Sequence, residues 1–162
     1  MQGGFFSYAL LAALATGLLF AAFTDLRRRE IDNWLNAAIA LCAPLFWLAT
    51  DLTLVAIGFQ FLIALATFAV LAGLFALRLM GGGDVKLLTA LSLWIQPLWF
   101  LKLLVVMALA GGVITLIFGI LHLARRKKER IAIPYGVAIA FAGLWVIADQ
   151  YIPNFQSGAP LG

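Results

Sequence analysis

Long apolar runs, separated by short polar stretches, make up most of this chain. They lie at about residues 4–23, 34–49, 52–77, 85–95, 99–124 and 131–151. Apolar runs of roughly 17–25 residues are long enough to cross a bilayer as helices. The pattern predicts an all-α polytopic membrane protein, a bundle of six transmembrane helices. Residues 1–152 would form a single transmembrane domain and residues 153–162 a C-terminal tail.

The composition supports a membrane setting and narrows the possible chemistry. The chain of 162 residues is 65% hydrophobic and only 11% charged. A soluble domain of this length has too much surface for its volume to bury so many apolar side chains. Cys42 is the single cysteine and His122 the single histidine. They allow no disulfide within the chain and no cysteine-based zinc site, so we expect no metal and no cofactor.

The basic residues indicate how the helices are oriented. Every Lys and Arg except Lys102 falls at residues 27–29, 78–86 or 125–130, after the first, third and fifth runs. Because positive charge marks cytoplasmic segments, this pattern places both termini outside, on the side of the membrane opposite the cytoplasm. The basic run at residues 125–130 is then a topology signal that contacts anionic membrane lipids. It does not indicate a nucleic-acid site.

Two acidic residues stand out because of their depth. Asp25 ends the first run and Asp84 begins the fourth, so both lie on the cytoplasmic side. A helix from Asp84 to Pro97 would be about 18 Å long, against a hydrocarbon core of about 30 Å. An ionised aspartate at the centre of a spanning helix costs roughly 2.5–3.5 kcal/mol. Irregular backbone such as that expected at residues 81–83 is tolerated there only against protein or water. The pattern predicts a wet pocket open to the cytoplasm.

Each acid also has a simpler explanation. Asp25 has the spacing for an ion pair with Arg28 or Arg29 on the same helix, and Asp84 is an acid at a helix N-terminus, where the macrodipole favours it. Two acids that converge from different helices favour a joint role instead. Since two nearby carboxylates cannot both ionise cheaply, one holds a proton while the other acts as a base. Such a pair is suited to aspartyl-protease chemistry.

Three segments carry a family resemblance. GGGDVK at residues 81–86 resembles the GxGD-x-K motif of membrane aspartyl proteases. TDLRRREIDN at residues 24–33 resembles the D-x5-IPN stretch of type IV prepilin peptidases, with Asp32 in place of the proline. IPYG at residues 133–136 is similar to the IPFGP of the same family. The short chain resembles the small branch of the family that serves tight-adherence (Flp) pili.

The resemblance implies an intramembrane aspartyl endopeptidase that removes the leader peptide of Flp-type prepilins at the cytoplasmic face. Asp25 and Asp84 match the catalytic pair of the family. The chain lacks the cysteine-rich insert of larger members, so we expect no methyltransferase activity. Lys86 would meet an acid near the start of the mature pilin, or it snorkels to the interface. The residues expected to contact substrate are Gly81, Gly83, Lys86 and Asn33.

Two other functions stay open on the sequence alone. A proton-coupled membrane transporter subunit would also use acids within the membrane, but it needs a path to both sides. A non-catalytic scaffold for pilus or secretion assembly would tolerate the loss of either aspartate.

Overall fold

The computed structural model describes residues 2–125 and 134–157, with side chains at residues 4–120 and 134–151. These residues form six helices and no strand, which confirms the all-α class. The helices are α1 (Gln2–Arg28), α2 (Asn33–Ala49), α3 (Leu54–Ala76), α4 (Gly82–Ser92), α5 (Pro97–Arg125) and α6 (Tyr135–Ser157).

The structure supports a membrane protein. In the described part of the chain, three helical segments are long and apolar enough to cross a bilayer: Gly4–Arg28, Leu54–Ala76 and Pro97–Ile120. α2 is a shorter apolar helix. Large apolar side chains on α3 and α5, such as Leu54, Leu65 and Leu101, are exposed. Such side chains would be unfavourable in water and are suited to lipid. The arrangement of six spans stays a prediction.

Several helix boundaries differ from the predicted ones. α1 continues to Arg28, past the predicted end at residue 23, because a polar last turn can stay helical where it packs on protein. α4 begins at Gly82 and ends at Ser92, so two glycines belong to its first turn. α6 continues to Ser157, and the predicted tail therefore begins inside this helix. A proline such as Pro153 does not have to end a helix in a membrane protein, because neighbouring groups can satisfy the freed carbonyl.

Some predicted features lie outside the described residues. They are the basic run at residues 126–130, the start of the sixth run at residues 131–133 and the end of the tail at residues 158–162. The side chain of His122 also lies outside the described side chains.

The short helix α4 lies at the centre of the bundle. It contacts α2, α3 and α6, and α6 in turn packs against α1 and α5. Leu87, Leu88 and Leu91 of α4 are fully buried. Small residues permit the close approach of helices that association in lipid requires. At Gly143 of α6, an added Cβ would lie 2.9 Å from Leu18 of α1.

Buried side chains satisfy the backbone where α4 ends inside the bundle. Hydrogen bonds run from Trp47 Nε1 to the Leu93 carbonyl (2.8 Å), from Gln60 Nε2 to the Leu93 and Ile95 carbonyls (3.3 and 3.2 Å) and from the Tyr151 hydroxyl to the Trp94 carbonyl (3.4 Å). Carbonyls left unpaired within a bilayer would be costly, so irregular backbone needs such donors. These bonds fix one end of α4, and its other end carries Asp84.

Candidate active site

The structure brings Asp25 and Asp84 together at one cavity. Asp25 lies in the last turn of α1, and Asp84 lies in the first turn of α4. Both line a cavity of about 600 Å³, and they are close enough to interact electrostatically. The remaining walls come from the α1–α2 loop, the segment before α4 and the start of α6: Arg29, Glu30, Ile31, Asn33, residues 78–83 and Tyr135.

The N-terminus of α6 holds the carboxylate of Asp25. The Asp25 side chain is buried, and its Oδ2 accepts a hydrogen bond from the Gly136 N–H at 2.8 Å. N–H groups in the first turn of a helix have no partner within the helix, and a capping side chain normally supplies the acceptor. Pro134, which directly precedes α6, has no acceptor in its side chain. Asp25 therefore caps α6 from a different helix, where the positive end of the helix dipole favours negative charge.

The proposed ion pair of Asp25 with a neighbouring arginine is wrong. Arg28 Nη2 instead contacts Asp32 Oδ2 at 2.7 Å, and the Arg29 guanidinium lies over the ring of Phe118, 5.4 Å from its centroid. Among the described residues the ion pairs are Arg28–Asp32 and Lys102–Asp149. Arg29 has a φ of 58°, which ends α1 and turns the chain away. Arg29 still lines the cavity and acts on Asp25 electrostatically, but at a longer range than an ion pair.

Asp84 occupies a capping position in its own helix. It is the third residue of α4, and its carboxylate accepts a hydrogen bond from the backbone N–H of Gly81, the N-cap residue. An acid at this position commonly reaches back to the N-cap N–H. The explanation of Asp84 as an acid at a helix N-terminus thus describes its local geometry. It does not account for the second carboxylate in the same cavity.

The three glycines permit close approaches and do not require unusual backbone angles. Gly81 has an extended backbone, with φ −73° and ψ 143°, so no left-handed conformation requires glycine there. A Cβ added at Gly81 would lie 2.9 Å from Oδ2 of Asp84, and one at Gly83 would lie 3.2 Å from the Cβ of buried Ile31. A Cβ at Gly82 would meet the exposed ring of Phe75 at 3.2 Å. That ring can rotate away more easily than the other two neighbours.

Alanine substitutions at these glycines should therefore differ in effect. We expect Gly83→Ala and Gly81→Ala to lower peptidase activity roughly ten-fold or more, because displacing a reacting group by about 1 Å can cost about a hundred-fold. Gly83→Ala pushes on Ile31 and the α1–α2 loop, and Gly81→Ala pushes on Asp84 itself. Gly82→Ala should stay near full activity. The measurement is precursor cleavage normalised to folded protein, and equal activity in all three variants would contradict this order.

Asn33 and Lys86 contact each other beside the cavity. Lys86 Nζ donates a hydrogen bond to Asn33 Oδ1 at 2.7 Å, and both side chains are exposed. Asn33 lines the cavity that holds the two acids. Lys86 does not line it and lies next to it through this contact.

Asp32 takes the backbone conformation that a proline would impose. Its φ is −63° and its ψ is 134°, and it precedes α2 as the N-cap residue without a side-chain cap. Proline fixes φ near −65°. The substitution therefore keeps the shape of the loop, and the contact with Arg28 replaces the rigidity of a ring.

Sequence reasoning assigned no role to Gly136. A Cβ added there would lie 2.9 Å from Oδ2 and 3.0 Å from both Cβ and Cγ of Asp25. The available indication was the IPYG segment at residues 133–136, read only as a resemblance.

Within the described residues, no three side chains among His, Cys, Asp and Glu come together as a metal-binding group.

Two acids in one cavity of a helical membrane protein form the kind of site that an aspartic peptidase uses. The model of the type IV leader peptidase family matches residues 12–120, more than half of the chain and a range that includes both acids. The chain therefore belongs to the type IV leader peptidase family and is a peptidase. No curated protein and no solved structure matches it.

Proposed function

We propose that the protein is an aspartic endopeptidase that cleaves the leader peptide of Flp-type prepilins, with Asp25 and Asp84 as its catalytic pair. The observation that carries this proposal is the shared cavity, which both carboxylates line and where α6 holds that of Asp25. The Flp-type substrate rests on the resemblance of the chain to the small branch of the family. The site lies at the cytoplasmic face of a bacterial inner membrane.

The chemistry follows from the pair of carboxylates. One aspartate removes a proton from a water molecule, which attacks the carbonyl carbon of the scissile bond. The other donates its proton to the carbonyl oxygen and later helps the amine to leave. The pair titrates as one unit, so the roles belong to the dyad. A cavity of about 600 Å³ has room for a short peptide segment and this water.

Substrate contacts come from the edge of the cavity. Gly81 is exposed beside Asp84 and has no side chain, so a substrate backbone can approach closely there. Gly83 brings the start of α4 against Ile31 and keeps this edge narrow. Asn33 and Lys86 offer polar groups next to the opening.

The proposal predicts cleavage of a prepilin by the purified protein alone. Incubation in detergent with a Flp-type prepilin should shorten the precursor, and mass spectrometry should locate the new N-terminus at the leader junction. A transporter subunit or an assembly scaffold would leave the precursor intact. The protein with Asp84→Asn is the matched control for a contaminating protease.

The proposed topology has six spans with both termini in the periplasm. In its support, Lys102, the single cation predicted outside, contacts Asp149 in the second half of α6, which the six-span arrangement also places at the outer side. A reporter that is active only in the cytoplasm should stay silent when fused after Gly162. The same reporter fused after Arg29 should be active. A strong cytoplasmic signal from the C-terminal fusion would show that the number of spans is wrong by one.

A further inference from the structure

A second cavity lies beside the candidate active site, between α2, α3 and α4. It has a volume of about 320 Å³, and we call it the α2–α4 groove. Asn33 lines both this groove and the cavity of the two aspartates, so the two spaces adjoin there. Its lining includes Asn33, Asn36, Ala37, Ala40, Lys86 and Thr89.

The groove changes from polar to apolar along its length. α2 and α4 both begin at the end of the bundle that holds the aspartates. Asn33, Asn36 and Lys86 lie in the first turns of these helices, and Ala40 and Leu93 lie further along. A ligand that fits this order has a polar start near the aspartates and an apolar continuation into the bilayer.

Asn36 lines the groove and has a buried side-chain acceptor without a partner in the described part of the chain. Its side chain is only 4% exposed, and its Nδ2 donates to the Gly83 carbonyl at 3.4 Å. Its Oδ1 is buried and has no partner within the described residues. A buried acceptor without a partner is costly and rare, so each case needs an explanation. One explanation is that a bound ligand supplies the donor, and the position of Asn36 in the lining of the groove supports it.

Lys86 adds an available positive charge at the same end. Its side chain is exposed and donates to the neutral Asn33, and it forms no ion pair in the part of the chain that the structure describes. An ammonium group in this position can accept a carboxylate partner without losing an existing one. The charge therefore favours a ligand with an acid near its polar start.

We propose that the α2–α4 groove binds the apolar helical segment of the substrate that follows the scissile bond. The first N–H groups of any helix lack partners within the helix, and Asn36 Oδ1 would accept from one of them. An acid in that first turn is favoured by the helix dipole and would pair with Lys86. Ala37, Ala40 and Thr89 leave room for a helix to approach closely. This inference rests on the proposed function, because it assumes a membrane-embedded precursor as substrate.

Photo-crosslinking tests which molecule occupies the groove. A photoreactive phenylalanine analogue at Ala37 is compared with one at Ala66, an exposed residue of α3 outside the groove lining. Both are placed in the Asp84→Asn protein, reconstituted into vesicles with a Flp-type prepilin. We expect the adduct from position 37 to map to the apolar segment of the prepilin and position 66 to give little. The proposal would be overturned if position 37 gave adducts only with lipid or only with a second copy of this chain. It would also be overturned if both positions gave equal amounts of prepilin adduct.

Kinetics provide a second test that does not depend on crosslinking. We expect Asn36→Leu and Ala37→Phe to raise the KM for the prepilin about ten-fold or more, with kcat within two-fold of the original value. Ala37 is exposed, so the second variant avoids the folding risk of changing buried Asn36. Ala66→Phe is the control and should leave both constants unchanged. An unchanged KM in Ala37→Phe would overturn the proposal that the groove binds the substrate helix, even if the Asp84→Asn protein is inactive as expected. Crosslinking from position 37 without any cleavage by the original protein would contradict only the proposed function.

Discussion

Asp25→Asn and Asp84→Asn should each abolish prepilin cleavage while the protein still folds. Removing a general acid or base costs about 10²–10⁴-fold in rate, and the loss of either member should disable a pair that works as a unit. Asparagine keeps the size of the side chain and an acceptor oxygen. It can therefore still accept the hydrogen bond from Gly136 at position 25 and from Gly81 at position 84. The measurement is the initial rate of precursor shortening, normalised to folded protein.

Matched controls come from acids at the other end of the bundle. Asp51 and Asp149 are exposed, and neither lines the cavity of the two candidate aspartates. Asp149→Asn removes an exposed contact with Lys102, which is worth about 0–1 kcal/mol at most. Both control variants should keep near-normal rates. If Asp25→Asn does so as well, the buried carboxylate only caps α6, and the proposed dyad is wrong.

The sequence pattern predicted what depends on local composition. The all-α class and the apolar nature of the helices follow directly from long hydrophobic runs. The convergence of Asp25 and Asp84 could be predicted because both acids fall where runs begin or end on the same side. Residues 12–120, which contain both, also carry the family match.

The remaining features depend on contacts that no local pattern contains. The bond from Gly136 to Asp25 joins residues that are 111 positions apart, and it exists only because α6 packs against α1. The buried carbonyls after α4 are satisfied by α2, α3 and α6 in the same way. α6 continues past the predicted helix end at residue 151, because a proline such as Pro153 ends a helix only when neighbouring groups do not replace the lost hydrogen bond.

The glycines illustrate how a motif can have a structural reason beyond the predicted one. The sequence indicated that Gly81 and Gly83 were needed, and irregular backbone or contact with substrate was the expected cause. The structure places them against Asp84 and Ile31, at distances where a Cβ would be too close. For Gly83 the reason is a contact with a different segment of the chain, which a sequence cannot display, and for Gly81 it is a contact with Asp84 three residues further on.

Gly136→Ala should reduce cleavage about a hundred-fold, although Gly136 is not an acid and lies outside the matched range of the family. The added Cβ would lie 2.9–3.0 Å from three atoms of Asp25, closer than carbon and oxygen atoms can normally approach. One of them is the Cβ of Asp25, which cannot rotate away because it is attached to the backbone of α1. The Asp25 side chain and the first turn of α6 must therefore move apart. Displacements of about 1 Å at a reacting group can cost a hundred-fold.

A control glycine separates this effect from the general consequences of replacing glycine. Gly58 in α3 has no atom within 4 Å of an added Cβ, so Gly58→Ala should keep full activity and should favour the helix by up to about 1 kcal/mol. Overpacking at position 136 should lower stability by about 1–3 kcal/mol, which thermal unfolding in detergent can measure. Cleavage is then compared at a temperature where every variant is folded. If folded Gly136→Ala protein cleaves the prepilin at the original rate, the first turn of α6 does not position Asp25 for catalysis.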